Sequence, residues 1–322
     1  MRKERTRSAC GLLLAAAALT RPAPAQDGTE LGLRLEPGFI WRQRVAVEAE
    51  IERPDGTAGS WKQEYVLRWK CLEERDGAWL VEGTFVDWTL VLRTGLRTFE
   101  WREQSYTQEG LSTPSGGDGL AEALLRAWAE GLRRAELRLL LDPRGRLLEF
   151  QGLESLEESL TSFLGDPDRS LPLDLAHHFG EAGLERAATA LRFAVAVPRP
   201  AGPVEPGATW EGESWLQGVF PGPCRLQRRF IFQGEERLRR HRLARLQIQA
   251  RGAWLGDDGR PHPLRAVSAA AAGEPVPEPA EPTGHAAIEL ASGLLFHLDL
   301  ALAWEEADGS RARCRLASDL VD

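Results

Sequence analysis

Apolar residues recur at every second position along most of the chain. Trp41, Val45, Val47, Ala49 and Ile51 share one parity; Arg42, Arg44, Glu48 and Glu50 share the other. A period of two sends successive side chains to opposite faces, so this run predicts a strand with one buried face. Pro54-Asp55-Gly56 is a turn signal. Beyond it, Trp61, Tyr65, Leu67, Trp69 and Cys71 keep the parity against Lys62, Glu64, Arg68 and Lys70. Asp76-Gly77 predicts another turn. Trp79, Val81, Phe85 and Val91 follow on the same parity, but Trp88, Leu90 and Leu92 break it. That break predicts a third strand covered on both faces. Leu96 to Tyr106 reads as a weaker fourth strand, with Phe99 and Trp101.

The period then changes. Residues 107–117 are rich in Gly, Ser, Thr and Pro and predict a loop. Asp118 is placed to cap a helix whose Leu120, Leu124, Leu125, Trp128 and Leu132 fall on one face. Leu137 to Phe150 predicts a hairpin about Asp142-Pro143-Arg144-Gly145. Leu153, Leu156, Leu160 and Phe163 mark a short amphipathic helix, stopped at Gly165-Asp166-Pro167. Residues 170–192 read as helix interrupted at Pro172 and Gly180, and Leu191 to Val197 as a strand. Four prolines between Pro198 and Pro206 mark a boundary.

Past that boundary the alternation returns on even numbers. Trp210, Leu216, Phe220, Cys224, Leu226, Phe230 and Phe232 share a parity, as do Leu238, Ala244, Leu246, Ile248 and Trp254. The stretch from Ala269 to Pro282 is Pro/Ala-rich and predicts an irregular excursion. Ile288 enters a hairpin about Ser292-Gly293, and Leu294, Phe296, Leu298, Leu300, Leu302 and Trp304 alternate without a miss. Asp308-Gly309 turns into a last strand with Cys314, Leu316 and Leu320 inward.

Both halves open on the same words. Glu36-Pro37-Gly38-Phe39-Ile40-Trp41 starts the first, and Glu205-Pro206-Gly207-Ala208-Thr209-Trp210 starts the second. We therefore expect an α+β fold, predominantly antiparallel β, of two related curved sheets or half-barrels with helices inserted in the first half. The expected divisions are a signal peptide over 1–25, a β-meander with helices over 26–197, a Pro-rich linker over 198–207 and an antiparallel half over 208–322.

The N-terminus supplies the compartment. Arg2, Lys3, Arg5 and Arg7 precede an apolar run from Cys10 to Leu19, and Ala23-Pro24-Ala25 is a small-x-small cleavage pattern. The run is too short to span a bilayer, and the remaining sequence has no longer one. Residues 1–25 carry five basic side chains and Glu4, so cleavage takes the formal charge from −8 to −12. An acidic exported protein argues against general nucleic-acid binding. Cys71, Cys224 and Cys314 remain after cleavage, enough for one internal bridge at most and not for a disulfide scaffold. Cys224 with Cys314 is the pair to consider.

Candidate chemistry is sparse. Gly212-Glu213-Ser214 begins like a nucleophile elbow, but Leu216 stands where the second Gly belongs, and the segment reads as strand. His177 and His178 point about 100° apart on a helix. Glu73-Glu74, Asp257-Asp258 and Glu305-Glu306 sit beside hairpin turns, where solvated carboxylates are ordinary. Ser115 to Gly119 lacks the Lys of a phosphate-binding loop. We expect no catalytic residue, metal or cofactor. Two binding surfaces stand out instead. Trp61, Tyr65, Trp69 and Trp79 share a parity and form either a sheet core or an aromatic groove for an apolar ligand. Arg225, Arg229, Arg237, Arg239, Arg245 and Arg251, with Arg311, Arg313 and Arg315, occupy the opposite parity. On neighbouring strands these would make a cationic face for an anionic envelope component.

Leu35-Glu36-Pro37-Gly38 to Trp41, the long β-meander, Leu141-Asp142-Pro143-Arg144-Gly145-Arg146-Leu147, and the second Pro206-Gly207 to Trp210 together resemble an uncharacterised family of exported bacterial β-rich proteins, a domain of unknown function. The resemblance implies an envelope location and a β-rich fold, with no activity and no catalytic residues to carry over. The resulting expectation is an exported, non-catalytic envelope protein with a binding or structural role. The alternative is a periplasmic carrier of an apolar ligand, similar to lipoprotein carriers; an uncharacterised hydrolase ranks third.

Overall fold

The computed structural model describes residues 28–56, 58–94, 97–102, 118–164, 181–219, 222–255, 260–264, 283–305 and 309–321. The expected signal peptide, the 107–117 and 269–282 loops, the His177-His178 pair, and Asp257-Asp258 fall outside them. In chain order the elements are β1 (Ile40–Glu52), β2 (Ala58–Arg75), β3 (Ala78–Thr94), β4 (Arg97–Arg102), α1 (Asp118–Arg134), β5 (Leu137–Leu141), β6 (Leu147–Gln151), α2 (Glu154–Leu164) and α3 (Glu181–Val195). The second half adds β7 (Thr209–Leu216), β8 (Cys224–Leu238), β9 (His241–Leu255), β10 (Pro261–Pro263), β11 (Thr283–Glu289), β12 (Leu295–Glu305) and β13 (Arg311–Val321).

All strands join one antiparallel sheet ordered β6-β5-β3-β2-β1-β13-β12-β11-β9-β8-β7, with β4 paired to β3 and β10 to β9. The expected halves are thus contiguous and fuse into a single sheet where β1 meets β13. Each half is wired alike. β1, β2 and β3 form a meander whose third strand pairs first with β5 and, at its far end, with β4. β7, β8 and β9 do the same with β11 and β10.

The repeated motif builds the same strand start in both places. Gly38 (φ 87°) and Gly207 (φ 89°) turn the chain in the left-handed region that favours glycine. The Gly38 N–H donates to Cys71 O and the Gly207 N–H to Phe232 O, at 2.8 and 2.7 Å. The Cys71 and Phe232 N–H groups donate back to Phe39 O and Ala208 O. Trp41 then stacks on Trp69 and Trp210 on Phe230, each its cross-strand partner.

The broken parity of β3 has a different cause from the one expected. The register against β2 slips between Asp87 and Phe85, leaving Val86 as an extra residue, largely exposed. A bulge of one residue inverts every later side chain. Trp79 and Val81 before it and Trp88, Leu90 and Leu92 after it therefore all reach the same buried face.

The sheet curls. Eleven strands lie on its main path, which laid flat would span roughly 48 Å at about 4.8 Å per step. Yet α3, 15 residues and so about 22 Å long, touches β6 and β7 at the two ends as well as β1, β12 and β13 near the middle. Only a strongly curved sheet wrapped around the helix allows this. The Leu191–Val197 stretch, expected to be a strand, mostly continues that helix. Ala187, Ala190 and Leu191 bury at helical spacing, and nothing breaks the helix before Pro198. Beyond α3 the chain bridges the sheet's two ends. The Arg199 N–H donates to Arg144 O in the β5–β6 turn (3.0 Å), and Pro198 O accepts from Trp210 Nε1 of β7 (2.7 Å).

The other helices cover the first half. α1 and α2 pack together, and Gly131 lets the Leu156 backbone come close; α1 also lies on β3. The segment before β1 buries Leu31, Leu33 and Leu35. It ties two corresponding hairpin turns, through Leu33 N–H to Pro143 O (2.8 Å) and Arg34 N–H to Ser292 O (2.7 Å).

Candidate functional site

The concave face of a curved sheet should be apolar wherever it is filled by core, because a buried polar group is costly unless hydrogen-bonded. Here that face carries polar side chains in its apolar phase. Gln43 lies between Trp41 and Val45, Gln63 between Trp61 and Tyr65, and Arg228 between Leu226 and Phe230; all are buried. Ser318 of β13 is buried too, and Gln43 Nε2 donates to its Oγ at 2.9 Å. From the other side, α3 turns Arg186 and Thr189 inward.

Arg186 joins α3 to the sheet. Its guanidinium lies 4.9 Å from the ring centre of Trp61, and Nη1 donates to Gly218 O at 3.1 Å. Thr189 holds the same loop by accepting from the Gln217 N–H and donating to Gln217 O, both at 3.1 Å. Burial lowers the Arg186 pKa to about 10, and nearby Tyr65 pulls it back up. Burial likewise raises the pKa of the Tyr65 phenol, with Arg186 opposing. The Tyr65 hydroxyl and Gln63 Oε1 are closed off from solvent and have no hydrogen-bond partner.

Arg228 lies under the other end of α3. Its guanidinium is 4.5 Å from the Phe193 ring centre and 5.3 Å from that of Phe230. Nη2 donates to Ser214 Oγ (2.6 Å) and to Ala196 O just past the helix (3.4 Å). Burial alone lowers its pKa to about 10. A third buried arginine, Arg199, lies between the β5–β6 and β11–β12 turns. It donates to Gly293 O and packs on Gly145 (φ 65°), where a Cβ would collide with it. Burial also brings its pKa down to about 10, opposed by Asp142.

The four aromatic candidates all lie on this face. Trp61 sits beneath Arg186, and Tyr65 meets Phe85 edge-on at 5.4 Å. Trp69 is fully buried, stacked on Trp41 and seated over Gly83, where its ring fills the place a Cβ would take. Trp79 is buried at the start of β3 opposite Leu141. Gln43, Gln63, Arg228, Arg186, Thr189 and Ser318 escaped the sequence reading. Gln43, Gln63 and Arg228 carried a signal nonetheless: each is a polar residue in a phase otherwise apolar.

Arg225, Arg229, Arg245, Arg251, Arg311, Arg313 and Arg315 lie on the convex face, in two places rather than one, while a bulge between Phe232 and Gly234 puts Arg237 in the opposite phase. β8 and β13 are separated by β9, β11 and β12. Arg311, Arg313 and Arg315 stand opposite Glu52, Glu50 and Glu48 of β1, and Arg315 also grips Asp299 through Nε and Nη2 (2.9 and 2.7 Å). Arg225 pairs with Glu213 at 2.6 Å, and Arg229 stands opposite Glu211. Arg245 pairs with Glu236 at 3.1 Å. Arg237 and Arg239 lie at the β8–β9 turn, and Arg251 opposite Gln227.

Gly212 to Ser214 lies within β7, an extended strand. Cys71, Cys224 and Cys314 are buried thiols; burial pushes Cys224 up to about 12 and raises the other two. Among the described residues, no cluster of three or more His, Cys, Asp or Glu could hold a metal, and no helix is long and apolar enough to cross a membrane.

No protein-family model matches this chain, and no curated protein matches it. Among solved structures it is similar to a Bacteroides fragilis protein with a YmcC-like fold, at 8% identity and TM-score 0.26, over 88% of this chain and 96% of that one. It is also similar to a DUF1329 family protein of Desulfovibrio piger, at 8% identity and TM-score 0.16, over 87% and 85%. Likenesses this distant leave the functional reading to the site itself.

Proposed function

We propose that this is an exported, non-catalytic protein of the bacterial envelope, which holds an apolar ligand between α3 and the concave face of its sheet. One observation carries the binding role. The interior holds hydrogen-bonding atoms with neither solvent nor partner: Gln63 Oε1, the Tyr65 hydroxyl, and Nε and Nη1 of Arg228. Buried polar atoms are hydrogen-bonded in the great majority of folded interiors, and each unpartnered one calls for an explanation, which a bound ligand's polar end would supply here. Around them lie Trp61, Phe193 and Phe230, apolar surface suited to a hydrocarbon body. Export rests on the basic, apolar and small-residue order of residues 1–25. The matched wiring of the halves supports an internal duplication, with α3 inserted as the piece the sheet closes on.

The test is recovery of the exported protein followed by organic extraction and mass spectrometry, with titration of the stripped protein by a lipophilic fluorophore. An extractable amphiphile and saturable binding at micromolar concentration or below are expected. A stripped protein that binds no dye saturably, from a preparation yielding no amphiphile, would end the binding role and leave a structural one.

A further inference from the structure

Among the described residues the buried charged groups are Arg186, Arg199, Arg228 and a single acid, Asp142. That acid is already engaged. It accepts from Arg146 Nε at 2.6 Å and from the Arg144 and Arg146 N–H groups, and it acts on Arg199. No carboxylate of the described residues pairs with Arg228.

Arg228 has five N–H donors. Nη2 uses its two on Ser214 Oγ and Ala196 O; the Nε–H and both N–H bonds of Nη1 have no acceptor. Two aromatic rings, the Ser214 hydroxyl and one carbonyl supply no counter-charge to a buried cation. The flanking cross-strand residues are small, Gly212 on β7 and Ala250 on β9, and the space over Gly212 is taken by Pro198, which stands in the segment just past α3, and by Phe230.

We propose that Arg228 is the anchor for the carboxylate of a long-chain acid, which makes the ligand an amphiphile with a singly charged head. This rests on the binding role proposed above. A carboxylate supplies one negative charge and several acceptor sites, which suit one cation with three unused donors. A doubly charged phosphate monoester would leave charge unbalanced. Because Nε and Nη1 are closed off from solvent, the acid enters when α3 and the Ala196–Pro198 segment lift from β8.

The experiment uses the mature chain, stripped of ligand and loaded with a lipophilic fluorophore. Palmitate and the alcohol of equal chain length then compete for the dye. Palmitate should displace it at concentrations about tenfold or more below the alcohol, as expected where a buried charge-assisted contact is made. Arg228→Met should remove that preference while alcohol binding persists. If Arg228→Met does not fold, Arg228→Lys keeps the charge but lacks the planar fork, and should reduce the preference severalfold. Equal displacement by acid and alcohol from the unaltered protein overturns the anchor and leaves the apolar site standing. A preference that survives substitution of Arg228 also overturns it. Absence of dye binding is a separate outcome, which removes the binding role itself.

Discussion

The same row of four strands crosses both halves of the sheet and is filled differently in each. In the first half it reads Trp41, Trp69, Gly83, Leu137; in the second, Trp210, Phe230, Ile248, Gly284. Both rows begin with a Trp stacked on an aromatic partner, and both contain one glycine. In the first row the larger Trp69 ring takes the space over the third strand, so glycine falls there. In the second, the smaller Phe230 leaves room for Ile248, and glycine falls on the fourth strand, where the Asp299 carbonyl and Leu300 come close. A turn motif can therefore be reused without its packing. The motif sets where a strand starts, and volume complementarity along the row is solved afresh each time.

The largest effects should come from the second member of each row. Trp69→Ala and Phe230→Ala each remove a fully buried ring, and each should cost about 3–5 kcal/mol of unfolding free energy. Urea denaturation followed by circular dichroism reads both. If Phe230→Ala cost less than about 1 kcal/mol while Trp69→Ala cost the full amount, the second row would not be packed as the first is.

Gly83→Ala comes next. Its Cβ would overlap the Trp69 ring, and overpacking of this kind costs about 1–3 kcal/mol. In a Trp69→Phe background the penalty should shrink, because the smaller ring vacates that space. Additive effects would show that the two positions do not compete for volume. Smaller still, Gly38→Ala and Gly207→Ala should each cost about 1–2 kcal/mol, the strain of a left-handed residue. Neither glycine has a neighbour within 4 Å of the added Cβ, so the two values should agree closely. A clear difference would mean that one turn is relieved by its surroundings and the other is not.

The fold was legible where period and turn chemistry act locally. Alternation marked the strands, the two Pro-Gly turns marked the half starts, and Asp142 to Gly145 marked a hairpin whose Asp142 carboxylate accepts from Arg144 and Arg146 N–H groups. The pairing of β1 with β13 was not legible, since strands 270 residues apart share no local signal beyond opposite charges such as Glu48 and Arg315. The bulge at Val86 looked like burial on two faces because inserting one residue shifts a parity and leaves composition unchanged. The site was the least visible part. Arg228 stood next to Arg229 in a chain whose default cation is arginine. Only its even number, shared with Leu226 and Phe230, sets it apart.

The smallest effect tests the one strand of the second half that has no counterpart in the first. β13 joins the halves, and His297 of β12 clasps it through Nδ1 to Asp319 Oδ1 at 2.7 Å. That hydrogen bond raises the His297 pKa; partial burial opposes it, the charges of Asp319 and Asp299 assist it, and Arg315 opposes it. A histidine whose folded pKa exceeds its unfolded value of about 6.5 binds its proton more tightly in the folded state. Its contribution is therefore fully present below about pH 6.5 and is lost as pH rises through the folded value. Both side chains are substantially exposed, so solvent screens the effect and it should be small. The useful quantity is the difference between the parent and His297→Gln. The denaturation midpoint of the parent should exceed that of the variant near pH 5.5, and the gap should close by about pH 8.5. A gap that stays constant across this range would show that the clasp acts through neutral hydrogen bonding, and that the β12–β13 seam carries no pH-dependent share of the sheet's stability.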